Sequence, residues 1–288
     1  MHLGSLLAAS GSYLSTRSQG GRWLLRIDDL DQARCVPGLS EAIPWTLEAF
    51  GFEWDGSVYF QSDRIDDYAD ALSQLQAAGR SYACRCSRSK LAAAQAADPA
   101  SEPVYPGTCR GDPEAICGPH AWRFAIDSRA APVEFEDAIQ GPCRQDCRRE
   151  AGDFVVKRRD GFFAYHLAVV VDDARQGISE VVRGADLLSS TPRQILLQRA
   201  LGLPTPRYSH LPLLVEPDGR KLSKSRHALP LAADAAASQL WRALCWLEQS
   251  PPPELAHAPV REIWAWAIPN WKPDRLKGIR ERRLPPAG

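Results

Sequence analysis

Two lysines, Lys221 and Lys224, stand three residues apart in the segment DGRKLSKSRH at 218–227. A glycine precedes them, and no helix or strand period covers the segment. Lysines on a glycine-anchored loop suit a polyphosphate whose negative charge grows in the transition state. The same spacing is also typical of an ordinary basic surface loop. The segment therefore indicates phosphate chemistry only if a second phosphate-binding element accompanies it.

Charged residues also follow the predicted strands, at the ends where ligands usually bind. Short apolar runs predict buried parallel strands at 22–29, 178–184 and 208–215. In open α/β sheets the ligand lies beyond the carboxyl ends of such strands. Arg183 there can hold a carboxylate through a bidentate pair, and Asp28 can hold an ammonium group. An ion pair between Arg183 and Asp186 is the alternative.

The cysteines indicate a metal site. Six of the eight fall within 64 residues, at 84, 86, 109, 117, 143 and 147. Without a secretory signal these thiols are expected to be reduced, which favours metal binding or packing over disulfides. Cys84, Cys86 and Cys109 supply three thiolates, one fewer than the four ligands of a structural zinc site. Cys143 and Cys147 could offer an alternative pair.

Hydropathy argues against a membrane-spanning protein, whereas the charge balance excludes no class of soluble protein. Lys plus Arg and Asp plus Glu each number 35, so the net charge gives no evidence for or against a nucleic-acid partner. Basic clusters at 144–159 and 272–283 are compatible with solvated faces. The longest apolar run, at 162–171, is too short to span a bilayer. A soluble cytoplasmic chain is expected.

The order of elements predicts an α/β fold. Helical periodicity covers 5–16, 39–50 and 65–79, and another buried strand is predicted in DFVVKRR from 153. Thr191 is predicted to cap a helix that has Pro192 at its first position. Periodicity is lost from about 81 to 150, and the chain after 232 is helical and rich in tryptophan. Strands alternating with helices predict a parallel sheet interrupted by an insertion. We expect units at 1–80, 81–150, 151–231 and 232–288.

Several segments together resemble the class I aminoacyl-tRNA synthetases. KLSKS at 221–225 resembles their KMSKS loop, and HLGS at 2–5 resembles the second half of their HIGH element. RIDDLDQAR and the long segment FFAYHLAVVVDDARQGISEVVRGADLLSSTPRQ are similar to motifs of the glutamyl branch. The resemblance runs from residue 2 to about residue 230. It implies a Rossmann-type catalytic domain that activates an amino acid with ATP and Mg²⁺.

The resemblance also implies roles for individual residues. His2, Gly4, Lys221 and Lys224 would bind the phosphates of ATP and stabilise the leaving pyrophosphate. The residues Asp28, Tyr165 and Arg183 would bind glutamate. Asp28 departs from the glutamate expected at its position, and its shorter side chain reaches the ammonium group only through a water.

Length separates two families within that branch. Only 63 residues follow Ser225, too few for the anticodon-binding region of a glutamyl-tRNA synthetase. CRC at 84–86 and YPGTCR at 105–110 resemble the zinc site of a truncated paralogous family, which attaches glutamate to queuosine in the anticodon of tRNA(Asp). That resemblance implies one structural zinc ion per chain, held by Cys84, Cys86, Tyr105 and Cys109. Tyr105 is assigned by the resemblance alone. A monomer is expected.

Three alternatives stay open at this stage. A truncated or discriminating glutamyl-tRNA synthetase is the nearest, and a class I nucleotidyltransferase that acts without tRNA is the second. A non-catalytic binding protein with a synthetase-like fold is the third. The paired phosphate motifs argue against this last one.

The start of the chain motivates a further expectation. In the glutamyl branch a strand and turn resembling R-F-A-P-S-P-T-G precede HIGH, whereas Met1 here directly precedes the motif histidine. We therefore expect the 288-residue form to be poorly soluble or inactive, and about ten to fifteen upstream residues to restore both properties. Expressing both forms tests this.

Overall fold

The computed structural model describes residues 1–31, 38–87, 91, 104–112, 117–216 and 231–283. Its α-helices are α1 (Leu3–Arg17), α2 (Leu39–Ala49), α3 (Ile65–Ala77), α4 (Cys147–Glu150), α5 (Tyr165–Arg175), α6 (Thr191–Leu201), α7 (Ala236–Trp246) and α8 (Val260–Ala267). Its strands are β1 (Arg26–Ile27), β2 (Tyr59–Phe60), β3 (Ser81–Cys84), β4 (Ala121–Phe124), β5 (Val133–Asp137), β6 (Gly141–Gln145), β7 (Phe154–Lys157), β8 (Glu180–Gly184), β9 (Arg207–Leu211), β10 (Leu213–Val215) and β11 (Glu281–Arg283).

Parallel pairing dominates the part of the fold that carries the predicted site. The largest sheet has the order β6-β5-β9-β8, in which β8 and β5 each run parallel to β9. Arg183 is paired in register with His210, and Asp137 with Tyr208. β1 pairs in parallel with β2. The predicted α/β architecture with parallel strands is confirmed.

Three predicted strands differ from the structure. Of the run at 22–29 only Arg26–Ile27 forms a strand, β1, which pairs with β2 in a separate sheet. The run at 208–215 is not one strand, because Pro212 separates β9 from β10. Proline has no N–H to donate to the ladder. After it, β10 pairs with β11 instead of β8. The strand in DFVVKRR forms as β7, but it pairs antiparallel with β4 and does not join the parallel sheet.

Strands of the predicted insertion pair with strands that follow it in the chain. β3 and β4, which lie within 81–150, form a three-stranded sheet with β7. The β5–β6 hairpin also lies within 81–150, and it extends the sheet that contains β8 and β9. The division of the chain into four units stays a prediction.

The predicted helix cap at Thr191 is wrong. The N-cap of α6 is Ser190, while Thr191 already lies in the first turn with Pro192. The Thr191 hydroxyl instead accepts a hydrogen bond from Arg183 Nη2 at 2.8 Å. Thr191, which was predicted to cap the helix, thus contacts Arg183 of the candidate site.

Helix α1 packs very closely on the large sheet. A Cβ added at Gly11 would lie 2.5 Å from Leu211 Cδ1, closer than any real contact of that kind. A larger residue at position 11 would require the buried Leu211 side chain to move, so the glycine lets α1 pack closely against β9.

The helices of the C-terminal region share one core with the N-terminal helix. Tyr13 of α1 packs edge-on against Trp264 of α8, with ring centroids 4.8 Å apart, and both contact Phe52. Leu240, Leu244 and Leu276 belong to the same buried cluster. In the described part of the chain, no helix is both long and apolar enough to cross a membrane.

Candidate active site and metal centre

Arg183 lies on β8 near the carboxyl end of the strand, as predicted, and its guanidinium is held on one edge by the protein. Nε donates to His210 Nε2 at 3.1 Å. The two Nη2 hydrogens are accepted by Thr191 Oγ1 at 2.8 Å and by Gln194 Oε1 at 2.7 Å. In this geometry Nη2 is fully engaged, so Nη1 is the nitrogen left to bind a ligand.

Tyr165 completes this part of the site. It is the first residue of α5, and its hydroxyl accepts from Arg183 Nη1 at 3.2 Å. The pKa of the phenol is raised by burial, with Arg183 opposing and Asp28 reinforcing the shift. The phenol therefore stays protonated at neutral pH and can donate its own hydrogen outward. Arg183 Nη1 and the Tyr165 hydroxyl together form a pair of donors suited to a carboxylate.

Asp28 follows β1 directly and supplies the negative end of the site. Its Oδ1 accepts from Arg26 Nε at 3.0 Å, and its side chain is 43% exposed. Arg26 also donates to Asp173 on α5 at 2.7 Å. Arg183 and Asp28 both act on the pKa of Asp173, which is raised mainly by burial. Asp28 and Arg183 thus both lie close enough to Asp173 to act on its pKa, and Asp173 is an acid that sequence reasoning missed.

Asp29 has a structural role next to the site. Its two carboxylate oxygens accept from the Ser62 amide at 2.8 Å and the Ser62 hydroxyl at 2.6 Å. These contacts tie the end of β1 to the turn that follows β2. They hold the backbone that carries Asp28.

A cleft of about 940 Å³ connects this region to the cysteine segment. Asp28 and Tyr165 line it on one side, and Cys86 and Ser87 on the other. Arg158 also lines it and is paired with Asp31 at 2.5 Å. The cleft therefore has both polar and charged walls next to the donor pair.

His2 caps α1 and defines its N-terminus. The His2 Nδ1 accepts from the Ser5 amide at 3.3 Å, so a neutral ring carries its hydrogen on Nε2. An added Cβ at Gly4 would lie 3.1 Å from His2 Cε1. Gly4 thus leaves room for the imidazole against the first turn. The helix dipole at this N-terminus favours an anion.

Lys221 and Lys224 lie outside the described residues. The described chain reaches Glu216, one residue beyond β10, and resumes at Leu231. The predicted phosphate-binding role of this segment stays a prediction.

Three predicted metal ligands come together. The sulfur atoms of Cys84, Cys86 and Cys109 all lie within 4.8 Å of one another, and Cys86 Sγ is 3.6 Å from Cys109 Sγ. Tetrahedral zinc with Zn–S bonds of about 2.3 Å requires sulfur atoms about 3.8 Å apart. The spacing fits such an ion. The Tyr105 hydroxyl lies 3.4 Å from Cys84 Sγ and 3.8 Å from Cys86 Sγ.

The surroundings of this cluster act differently on two of its thiols: burial raises the pKa of Cys86, whereas the pKa of Cys109 is lowered. Burial raises the pKa of Cys109, but hydrogen bonds with Tyr105 and the Arg85 amide outweigh it and lower the pKa to about 7. Arg123 Nε donates to Cys84 Sγ at 3.2 Å, and its guanidinium carbon lies 3.8 Å from the centre of the Tyr105 ring. A metal ligand must be deprotonated, and a buried cation beside the sulfur assists this. The residues present therefore fit a bound metal ion.

The alternative cysteine pair is not part of this cluster. Burial raises the pKa of Cys147 to about 11, which is typical of a packing thiol. Cys143 lies on β6, and its Sγ contacts the Gly141 carbonyl at 3.5 Å. Among the described residues, Cys84, Cys86 and Cys109 are the group placed to hold a metal.

Metal analysis tests the ligand set. We expect about one zinc per purified chain, and a Cys84→Ser variant should lose most of it, because a neutral hydroxyl replaces a thiolate ligand. The half-buried Cys245 on α7 provides the matched control, since Cys245→Ser should keep the metal. Full metal content in the Cys84→Ser protein would show that the ligands are assigned wrongly.

The chain is similar to known proteins over nearly its full length. Residues 1–238 match the family described as tRNA synthetases class I (E and Q), catalytic domain. It is 51% identical over 271 residues to the glutamyl-Q tRNA(Asp) synthetase of Aromatoleum aromaticum, covering 94% of this chain and 85% of the relative. It is also 51% identical over 278 residues to the protein of the same name from Pseudomonas aeruginosa strain LESB58, covering 96% and 91%.

A solved structure shows the same fold. The glutamate-tRNA synthetase of Elizabethkingia anophelis aligns with a TM-score of 0.77 at 22% identity. The alignment covers 99% of this chain and 66% of that longer one. With the sequence relatives, this shows that the chain belongs to the class I tRNA synthetases of the E and Q type, in the branch that contains the glutamyl-Q tRNA(Asp) synthetases.

Proposed function

We propose that this protein is a ligase that activates L-glutamate with ATP and transfers it to queuosine in the anticodon of tRNA(Asp). The observation that carries the proposal is the donor pair of Arg183 Nη1 and Tyr165 hydroxyl beside Asp28, at the edge of a large cleft. Glutamate has a side-chain carboxylate for the donor pair and an ammonium group for the acid. The relatives bear a name that describes the same substrate.

The donor pair explains a preference for glutamate over glutamine. A carboxylate accepts from both Arg183 Nη1 and the phenol. A glutamine amide offers one acceptor, and its NH₂ group would face a donor. A donor that faces another donor in the complex loses its hydrogen bond, which weakens the binding of glutamine. Aspartate is one methylene shorter and would span a shorter distance between the pair and Asp28.

Asp28 and its neighbours would bind the ammonium group. Arg26 neutralises part of the charge on Asp28 and Asp173 and fixes the orientation of both carboxylates. Asp28 is shorter than the glutamate of the family motif, so a bridging water completes the contact. The amino acid would then lie with its α-carboxylate towards the ATP side of the site.

The chemistry requires positioning and charge stabilisation. The α-carboxylate of glutamate attacks the α-phosphorus of ATP, and pyrophosphate leaves with the electron pair of the broken P–O bond. The first turn of α1, with His2 and Gly4, would receive phosphate oxygens, and Lys221 and Lys224 would stabilise the leaving pyrophosphate with Mg²⁺. In the second step a hydroxyl of the acceptor attacks the activated carbonyl, and AMP leaves.

The cleft gives the acceptor a route to the activated glutamate. It extends from Tyr165 to the segment that contains Cys86. A zinc ion held by the three thiolates and Tyr105 would brace this segment as a structural site. In this proposal the ion has no step in the reaction.

Pyrophosphate exchange tests the function. With glutamate and ATP we expect exchange without any tRNA, and aspartate and glutamine should give far less. Both the 288-residue chain and the upstream-extended form are assayed. Absence of glutamate-dependent exchange in both forms would leave a non-catalytic binding protein, and exchange only on addition of tRNA would contradict the activation step as proposed.

Transfer then separates the remaining alternatives. Labelled glutamate should move to tRNA(Asp) that carries queuosine and not to tRNA(Asp) that lacks it. Transfer to tRNA(Glu) would instead identify a truncated glutamyl-tRNA synthetase, and exchange without transfer to either would favour a nucleotidyltransferase. We propose further that the protein acts as a cytoplasmic monomer, which sedimentation of the purified chain checks.

A further inference from the structure

We propose that Asp137 and His210 are positioning residues that set the direction of the Arg183 guanidinium, and so determine affinity for the substrate's side-chain carboxylate. The proposal rests on the function given above, because it assumes that Arg183 receives glutamate. Both residues are fully buried, and the chemistry proposed above does not use them.

Asp137 is held as an anion and accepts every contact it makes. Its Oδ1 accepts from the backbone amides of Ile139, Gln140 and His210 at 3.0, 2.8 and 3.1 Å. Burial raises its pKa, but the hydrogen bonds with His210 and these amides outweigh burial and lower it. Its second oxygen, Oδ2, lies 2.5 Å from His210 Nδ1. An ionised carboxylate cannot donate, so Nδ1 must carry the hydrogen of this contact.

The second ring nitrogen of His210, Nε2, must then accept a hydrogen bond. Arg183 Nε, which can only donate, lies 3.1 Å from His210 Nε2. His210 is therefore the neutral tautomer with its hydrogen on Nδ1. Thr191 Oγ1 lies 3.2 Å from Nε2 and accepts from Arg183 Nη2, so its own hydrogen can point at Nε2.

The network fixes which guanidinium nitrogen faces the ligand. The acceptors on Nε and Nη2 prevent the group from rotating about its bond to the side chain. Nη1 is thereby left directed at Tyr165, where it forms the carboxylate-binding pair. If His210 Nε2 carried a hydrogen, donor would face donor, and the guanidinium would have to turn away. Asp137 acts on the substrate only through this chain of contacts.

Asp137→Asn is the decisive variant. The three backbone amides keep the side-chain oxygen at the Oδ1 position, so the new NH₂ group faces His210 Nδ1. It donates there, forces the hydrogen onto Nε2 and removes the acceptor for Arg183. Because hydrogen bonds to charged groups are strong, we expect the glutamate KM in pyrophosphate exchange to rise about ten- to a hundredfold. The ATP KM should change by less than about twofold.

Glutamine at position 210 distinguishes positioning from support of the fold. His210→Gln can present its side-chain oxygen where Nε2 was, so it should keep a glutamate KM within about fivefold of the natural protein, whereas His210→Ala should match Asp137→Asn. In the His210→Gln background, adding Asp137→Asn should have little further effect, because no tautomer is left to control.

A destabilised but unrelated variant provides the matched control. Leu75→Ala removes a fully buried core side chain on α3 and should lower the melting temperature while leaving the ratio of glutamate to ATP KM unchanged. The inference fails if the natural protein is active and Asp137→Asn keeps its glutamate KM, or if Leu75→Ala shifts the same ratio. If the natural protein shows no glutamate exchange, the proposed function itself is wrong and the inference falls with it.

Discussion

Replacing Arg183 with glutamine should reduce glutamate-dependent pyrophosphate exchange at least about a thousandfold in kcat/KM. The variant removes the cation that faces the carboxylate and also breaks the contacts with His210, Thr191 and Gln194. Removing one partner of a buried charge pair costs about 2–5 kcal/mol or more. Steady-state kinetics at varied glutamate and ATP measure the effect, which should fall on glutamate and not on ATP.

Arg183→Lys should be nearly as damaging. A lysine has one nitrogen and cannot serve His210, Gln194 and the ligand in their different directions. The matched control is Arg207→Gln on the neighbouring strand, where the side chain is 73% exposed and pairs with Glu180 at 3.5 Å. The kcat/KM of the Arg207→Gln variant for glutamate should stay within about twofold of that of the natural protein, since exposed ion pairs contribute little to stability. Equal losses in both positions would show that Arg183 acts through folding.

Replacing Lys224 with alanine should lower kcat about a hundred- to a thousandfold with little change in the KM for glutamate. The prediction rests on the sequence, because this residue lies outside the described part of the chain. Charge that develops on the leaving pyrophosphate is greatest in the transition state, so a cation there acts mainly on turnover. Single-turnover measurement of adenylate formation gives this step directly.

The control for Lys224→Ala is a substitution at Lys277, whose side chain is exposed. Lys277→Ala removes an exposed side chain paired with Asp274 at 2.7 Å and should leave turnover unchanged. A Lys224→Ala enzyme with normal turnover would remove this residue from the mechanism. A loss confined to glutamate KM would place it in the amino-acid pocket instead.

The polar residues of the site were predictable in part, because ligands of α/β folds bind at the carboxyl ends of strands. Asp28 follows β1, and Arg183 lies near the carboxyl end of β8, but the two strands belong to different sheets, so their proximity was not set by one sheet edge. The structure brings them together with Tyr165. The thiolate cluster was predictable too, since C-x-C places two ligands close together and the later cysteine completes the group.

The partners of Arg183 were not predictable from the same patterns. His210 meets Arg183 because β8 and β9 pair in a particular register, and Asp137 reaches His210 because β5 lies on the other side of β9. The register between strands far apart in the chain is not set by any motif local to either strand. The incorrect prediction of a helix cap at Thr191 has the same cause, since the Thr191 hydroxyl accepts a hydrogen bond from Arg183 on β8.

The shared core of the two chain ends has a consequence for synthesis on the ribosome. Tyr13 is made early, yet its aromatic partner Trp264 and the buried Leu276 emerge about 250 residues later. Until then α1 has no complete surface on which to bury its apolar side. The packing of α1 is therefore completed only after α8 has been synthesised. At translation rates of about 5–20 residues per second, that wait lasts on the order of 10–50 seconds. During that interval the nascent chain exposes apolar surface of the kind that chaperones bind.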